Sequence, residues 1–168
     1  VATRKEHALQ VHLLSPELMG HALEQVSDIS DLCAKATALV LGPGMAQRYW
    51  AKNIWPALVS LDLPRVIDAD ALNLLAETPA YSESWILTPH PGEAARLLHC
   101  SIADILQDRY QAVRDLQKKY GGVCVLKGAG TLVCAGEKVY VNTTGNPGMA
   151  SAGMGDVLSG IIASLLAQ

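Results

Sequence analysis

Short apolar runs rich in Val, Ile and Leu alternate along this chain with longer segments whose apolar positions recur at helical spacing. Val11-His12-Leu13-Leu14 predicts a strand, followed by a helical stretch over 16–26. Thr37-Ala38-Leu39-Val40-Leu41 predicts a buried strand ending in Gly42-Pro43-Gly44, with a helix over 46–59. Arg65-Val66-Ile67-Asp68 predicts a third strand, with helix over 69–75. Trp85-Ile86-Leu87 predicts a fourth, running into Thr88-Pro89-His90-Pro91-Gly92-Glu93 and a helix from Glu93 to Leu98. The segment 105–120 reads as one amphipathic helix, with Leu106, Tyr110, Val113, Leu116 and Tyr120 on a single face and Lys118-Lys119 near its C-terminus. Val123-Cys124-Val125-Leu126 predicts another buried strand. Thr131-Leu132-Val133-Cys134 and Lys138-Val139-Tyr140-Val141, joined by Ala135-Gly136-Glu137, predict a β-hairpin. The apolar run 157–166 predicts a final helix.

Alternation of this kind points to an α/β fold with a largely parallel sheet. Strand ends at 41, 68, 87 and 126 each hand over to a loop rich in Gly, Pro, Asp or His. Open α/β sheets bind ligands outside the carboxyl ends of their strands, so these four loops converge on one expected site.

Composition narrows the class. The 168 residues suffice for one domain with a sizeable core, half of them are apolar and 17% are charged, which argues against disorder. A formal charge of −3 offers no basic footprint for nucleic acid. No stretch reaches the roughly 18 apolar residues of a membrane span, and the first residues follow no signal-peptide pattern. Cys33, Cys100, Cys124 and Cys134 are scattered, as expected of small core residues in a reducing cytoplasm. The chain starts at Val1-Ala2-Thr3 and stops at Leu165-Leu166-Ala167-Gln168 without a helix stop signal, so it reads as a single domain over 1–168 that is incomplete at both ends.

The chemistry concentrates in the run from Asn142 to Asp156. Small residues lead through Gly145-Asn146-Pro147-Gly148 to Gly153-Met154-Gly155-Asp156 at the mouth of the last helix. Glycines there let backbone amides approach an anion, and the helix dipole stabilises it. Asp156 adds a carboxylate where a base can meet a hydroxyl. As a bland alternative, Asp156 merely caps its own helix. Gly42-Pro43-Gly44 reads either as a tight turn or as a ligand-facing loop. Asp70 reads as a helix cap near Asn73, and Asp68 as the residue facing the crevice. His90 is held between two prolines that restrict its backbone, in a frame suited to substrate contact. Lys127-Gly128-Ala129-Gly130-Thr131 combines a point charge with flexible amides, suited to a nucleotide phosphate or ribose. Neither a Walker A nor a dinucleotide-binding glycine fingerprint is present.

These blocks resemble a known family. Gly153-Met154-Gly155-Asp156 is similar to the Gly-x-Gly-Asp signature of the ribokinase-like superfamily. Val40-Leu41-Gly42-Pro43-Gly44, Val66-Ile67-Asp68-Ala69-Asp70-Ala71-Leu72-Asn73, Leu87-Thr88-Pro89-His90-Pro91-Gly92-Glu93, Leu126-Lys127-Gly128 and Gly145-Asn146-Pro147-Gly148-Met149-Ala150 resemble, in family order, the ADP-dependent NAD(P)H-hydrate dehydratases. The resemblance implies a three-layer ribokinase-like fold and a reaction that restores NADH or NADPH from the S-epimer of its hydrate. The nucleotide phosphorylates the ring hydroxyl and phosphate is eliminated.

On that resemblance Asp156 is the catalytic base, and Gly153, Met154 and Gly155 form the anion hole. Gly44, His90 and Asp156 face the hydrate. Lys127, Gly128, Ala129, Gly130, Thr131 and Gly155 hold ADP or ATP, with Asp68 and Asn146 in support. Mg²⁺ is expected with the nucleotide, although no dedicated ligand cluster is visible. The resemblance further implies a cytoplasmic homo-oligomer, often a tetramer, in some members fused to a hydrate epimerase domain. A small-molecule kinase of the same superfamily, acting on a hydroxymethylpyrimidine or a sugar, is the rival enzyme reading. A nucleotide-binding module without catalysis is the rival from another class.

Overall fold

In the computed structural model, which describes residues 1–168 apart from the side chain of Leu14, the chain divides into two compact units. Residues 1–37 and 48–62 form the first, and residues 38–47 and 63–168 the second. In the first, β1 (Ala2–Thr3) runs directly into α1 (Lys5–Leu14), so the 11–14 segment expected as a strand is helical. A four-residue apolar run fits either state, and the turns before it decide. Ala8 is buried on one side of α1, while Leu9 and Leu13 point to solvent on the other. The helix expected over 16–26 does not form either. A Cβ on Gly20 would lie 2.3 Å from the Ala8 carbonyl oxygen, so the chain folds back tightly on α1 there. It continues as β2 (His21–Ala22), which pairs in parallel with β1. Two more helices, α2 (Asp28–Cys33) and α3 (Tyr49–Ser60), complete this unit, and the Trp50 indole N–H donates to the Leu23 carbonyl at 2.7 Å.

The second unit is built on a six-stranded sheet in sequence order. β3 (Leu39–Leu41), β4 (Arg65–Ile67), β5 (Trp85–Leu87) and β6 (Val123–Leu126) are parallel, and β7 (Leu132–Ala135) and β8 (Lys138–Val141) continue antiparallel as the expected hairpin. Every residue of β4 is buried, as for a strand covered on both faces. The connecting helices are α4 (Ala69–Glu77), α5 (Pro91–Leu98), α6 (Ile102–Gln107) and α7 (Arg109–Tyr120), followed by α8 (Met154–Leu166). α4 packs on α5, α5 on α6 and α7, and α8 along β3 and β4.

The segment 105–120 is two helices, not one. Asp108 ends α6 and its side chain accepts from the Gln111 amide at 2.9 Å, which starts α7. Ser101 and Asp104 form a reciprocal capping box at the start of α6. The break rotates the apolar face. Ile105, Val113, Leu116 and Tyr120 are buried, whereas Leu106 and Tyr110 are exposed. On α8, Val157, Ile161 and Leu165 recur one turn apart and remain exposed, although Ser159 on the same helix is buried.

Gly42 fixes how the β3 loop lies across the end of β4. Its φ is +121°, and a Cβ there would fall 1.7 Å from the Asp68 carbonyl oxygen. Gly42→Ala is therefore expected to destabilise the protein by about 2–4 kcal/mol. Gly44→Ala, at φ +65° with open space around it, should cost only about 1 kcal/mol. Urea midpoints at unchanged slope measure both, and equal losses would contradict the close approach at Gly42.

Candidate active site

The strand tips are locked in step by main-chain bonds. Asp68 N–H donates to the Leu41 carbonyl at 3.0 Å, Thr88 N–H to Ile67 at 3.1 Å, and Lys127 N–H to Pro89 at 2.8 Å. Asp68, Thr88 and Lys127 therefore emerge from neighbouring tips of β4, β5 and β6. The Lys127 ammonium donates to Asp68 Oδ1 at 2.9 Å and lies 3.9 Å from Glu93 Oε2. The Ser159 hydroxyl, from within α8, donates to Asp68 Oδ2 at 2.6 Å. Asp68 is 1% exposed, so its charge depends on these partners. Burial pushes its pKa up, but the hydrogen bonds from Ser159 and Lys127, the Lys127 charge and Thr88 together hold it below the usual value. Burial also pushes the pKa of Glu93 up, and there it wins. Its pKa is raised despite the His90 main-chain hydrogen bond and the Lys127 charge, and the Asp68 carboxylate adds to the rise.

The same network holds the first turn of α8. Gly153 takes φ +84° at the helix N-cap, a left-handed conformation suited to glycine. A Cβ on Gly155 would sit 3.5 Å from Lys127 Nζ and 3.8 Å from Asp68 Oδ2, so the ammonium abuts the helix start. The Met154 amide makes a long 3.4 Å bond to Ser151, and the Gly155 and Asp156 amides make none among the described residues. Free N–H groups, the helix dipole and a lysine thus face one spot, which favours an anion. Asp156 stands exposed in that first turn. Its carboxylate is free to accept a proton from a hydroxyl brought to the anion site.

His90 is both N-cap and candidate contact. Its Nδ1 accepts from the Gly92 and Glu93 amides at 3.0 and 3.3 Å, while Glu93 Oε2 accepts from the His90 amide at 2.7 Å. With Nδ1 accepting, the ring proton sits on Nε2, which lies 3.5 Å from Glu93 Oε1, and the ring as a whole is half-exposed. Gly44 lies in a loop whose Ala46 amide and Gln47 side chain donate to Asp70 at 2.9 and 3.0 Å. Asp70 therefore ties the loop rather than serving chemistry.

The loop Gly128-Ala129-Gly130-Thr131 is held from below by Arg109, which donates to the Ala129 and Leu126 carbonyls at 2.7 and 3.4 Å. Thr131 Oγ1 donates back to Gly128. Asn146 accepts from the Gly148 amide, capping a 3-10 turn at Pro147–Met149. The structure thus brings together Asp68, Glu93, Lys127 and Gly155, with Asp156 the next residue along α8. It adds Ser159 and Arg109, which no motif flags. Ser159 lies inside an apolar helix, and Arg109 sits 20 residues from the loop it holds. Among the described residues, no group of three or more His, Cys, Asp or Glu is arranged to hold a metal, so the expected Mg²⁺ has no protein cage here. No helix of the described residues is long and apolar enough to cross a membrane.

Asp68→Asn leaves the partly buried Lys127 without its main partner and should cost about 3 kcal/mol near neutral pH. A carboxylate with a lowered folded pKa contributes stability above its unfolded value of about 3.9 and loses it as pH falls through the folded value. The gap between wild type and variant should therefore be full at pH 7 and close in strong acid. Thermal melts across pH measure it, and a pH-independent gap would remove the ion pair as its cause.

A family model described as NAD(P)H-hydrate dehydratase matches residues 1–168. The bifunctional NAD(P)H-hydrate repair enzyme of Coxiella burnetii is 53% identical over 169 residues, covering 100% of this chain and 35% of that protein. The ADP-dependent (S)-NAD(P)H-hydrate dehydratase of Neisseria meningitidis is 44% identical over 160 residues, covering 91% of this chain and 53% of that one. A crystal structure of the ADP/ATP-dependent NAD(P)H-hydrate dehydratase from Bacillus subtilis, co-crystallised with ATP/Mg²⁺ and soaked with CoA, superposes with a TM-score of 0.78. It is 26% identical, with 98% of this chain and 62% of that one covered. This chain spans about a third of the length of the bifunctional relatives it matches. The α/β fold, its mostly parallel sheet and the strand-tip site accompany a match along the whole chain, and the chain belongs to the NAD(P)H-hydrate dehydratase family.

Proposed function

We propose that this chain provides the catalytic strand tips of an ADP-dependent dehydratase acting on the S-hydrates of NADH and NADPH. The observation that carries the reading is one juxtaposition. Free amides at the start of α8 and the Lys127 ammonium face the same point, with the exposed Asp156 carboxylate beside it. An anion site next to a free base suits transfer of a phosphoryl group to a hydroxyl.

The steps follow from that geometry. Asp156 takes the proton of the ring hydroxyl as its oxygen attacks the terminal phosphorus of ADP, and AMP leaves. Amides of Gly153, Met154 and Gly155, with Lys127, stabilise charge on the transferring group. Phosphate is now a good leaving group. The ring nitrogen lone pair expels it with the C–O bond electrons, and loss of a proton from the adjacent carbon restores the ring double bond. Gly44 and His90 face the hydrate, and the loop 127–131 holds the adenine nucleotide. Mg²⁺ would travel with the nucleotide phosphates and neutralise part of their charge.

The reading extends to a longer cytoplasmic protein, homo-oligomeric and joined to a hydrate epimerase. The bifunctional naming of relatives three times as long supports the fusion.

Incubating the complete protein with hydrated NADH and ADP should restore the reduced-nicotinamide absorbance and release AMP and phosphate in equal amounts. Asp156→Asn should lower kcat at least about 100-fold while nucleotide affinity persists. Unchanged turnover would remove Asp156 as the base. Consumption of ATP by a pyrimidine alcohol, with hydrated NADH inert, would replace the reading with that of a small-molecule kinase.

A further inference from the structure

Beyond the strand tips, the second unit carries an open groove of about 920 Å³ between α4, α5 and the start of α6. One wall adjoins His90, whose ring lies 2.9 Å from where a Cβ on Gly92 would stand. Gln47 lies three positions after Gly44, and Gly92 two after His90, and both line it. Asn73, Arg96, His99 and Ile102 line it as well, with Ile102 beside Gly92.

Arg96 is its fixed cation. The guanidinium donates to the Asn73 amide oxygen at 2.6 Å, a partner that orients the charge without neutralising it. Among the described ion pairs Arg96 takes no part. Its exposed position in the last turn of α5 suits the helix dipole, but the dipole does not account for the cross-helix bond to α4. Arg96 follows His90 by six residues, which is roughly 9 Å of helix rise at about 1.5 Å per residue. In an extended dinucleotide a ribose and its methylene span a comparable distance between the nicotinamide ring and the pyrophosphate.

We propose that the groove between α4 and α5 receives the tail of the substrate dinucleotide and that Arg96 binds its pyrophosphate. This rests on the dehydratase reading above. The phosphoryl donor occupies the α8 end, so the two nucleotides bind at different places, and the groove selects a dinucleotide hydrate over a shorter one. Asn73 is a positioning residue that presents the guanidinium fork.

The test uses the complete protein and two ligand pairs: hydrated NADH against hydrated reduced nicotinamide riboside in turnover, and NADH against reduced nicotinamide riboside in equilibrium binding. Arg96→Ala should raise KM for hydrated NADH and weaken NADH binding by about 10- to 100-fold, the loss of a charge-assisted contact. It should leave kcat, KM for ADP and every riboside measurement within about twofold. Arg96→Lys should recover part of the affinity, and Asn73→Ala should mimic Arg96→Ala in milder form. Equal losses on riboside and dinucleotide, or no change on either, would overturn the assignment. The two readings fail separately. A wild type that ignores hydrated NADH but binds NADH in an Arg96-dependent way sinks the reaction and keeps the groove. Normal turnover with an indifferent Arg96→Ala keeps the reaction and sinks the groove.

Discussion

A single buried carboxylate organises this molecule's chemistry. Asp68 ends the fully buried strand β4, and from that position it accepts from a lysine on β6 and a serine on α8. Removing a charge from water costs several kcal/mol unless it is paired and hydrogen-bonded. The cost is offset here only if β4, β6 and α8 meet in one arrangement. The ion pair therefore acts as a geometric condition more than as a source of stability. When it is met, Lys127 stands against Gly155 and the free amides of α8 face the same point.

Neighbouring groups reinforce this condition. Glu93 sits close enough to Lys127 to share its field, and burial disfavours its charge, so Lys127 gives most of its attraction to Asp68. Glu93 meanwhile caps α5 through the His90 amide, and His90 returns the favour through Nδ1. The ring is thereby committed to one tautomer, with Nδ1 on the helix amides and Nε2 beside Glu93 Oε1. Gly42 packs its backbone onto the Asp68 carbonyl, so the β3 loop cannot lift away without disturbing the strand that carries the carboxylate. Each candidate contact is thus held by elements that also hold another.

Much of this was legible in the sequence because the parallel strands are buried on both faces. They read as uninterrupted apolar runs, and their ends are marked by Gly, Pro, Asp and His. The helices over 91–98 and 69–77 follow from the same punctuation. At 11–14 the local run misleads, since Val-His-Leu-Leu also completes a helix begun at Lys5, and only the turn at Gly20 shows which. At Asp108 the helical period continues across a capping residue, so a break with correct spacing on either side looks like continuity. Asp156, Lys127 and the glycines were found through their motifs. Ser159 and Arg109 were not, because each acts across the fold on groups with no regular spacing from it. The apolar stripe of α8 is likewise silent in the sequence, which reports hydrophobicity but not exposure.

The span of the Asp68–Ser159 bond has a kinetic consequence. The two residues are 91 positions apart in the chain. The hairpin of β7 and β8 closes locally, but this contact must wait for the intervening strands and crossovers to be in place. Until those strands are in place, α8 lacks the β3 and β4 surface on which it packs. The anion-favouring start of α8 therefore depends on contacts between segments far apart in the chain.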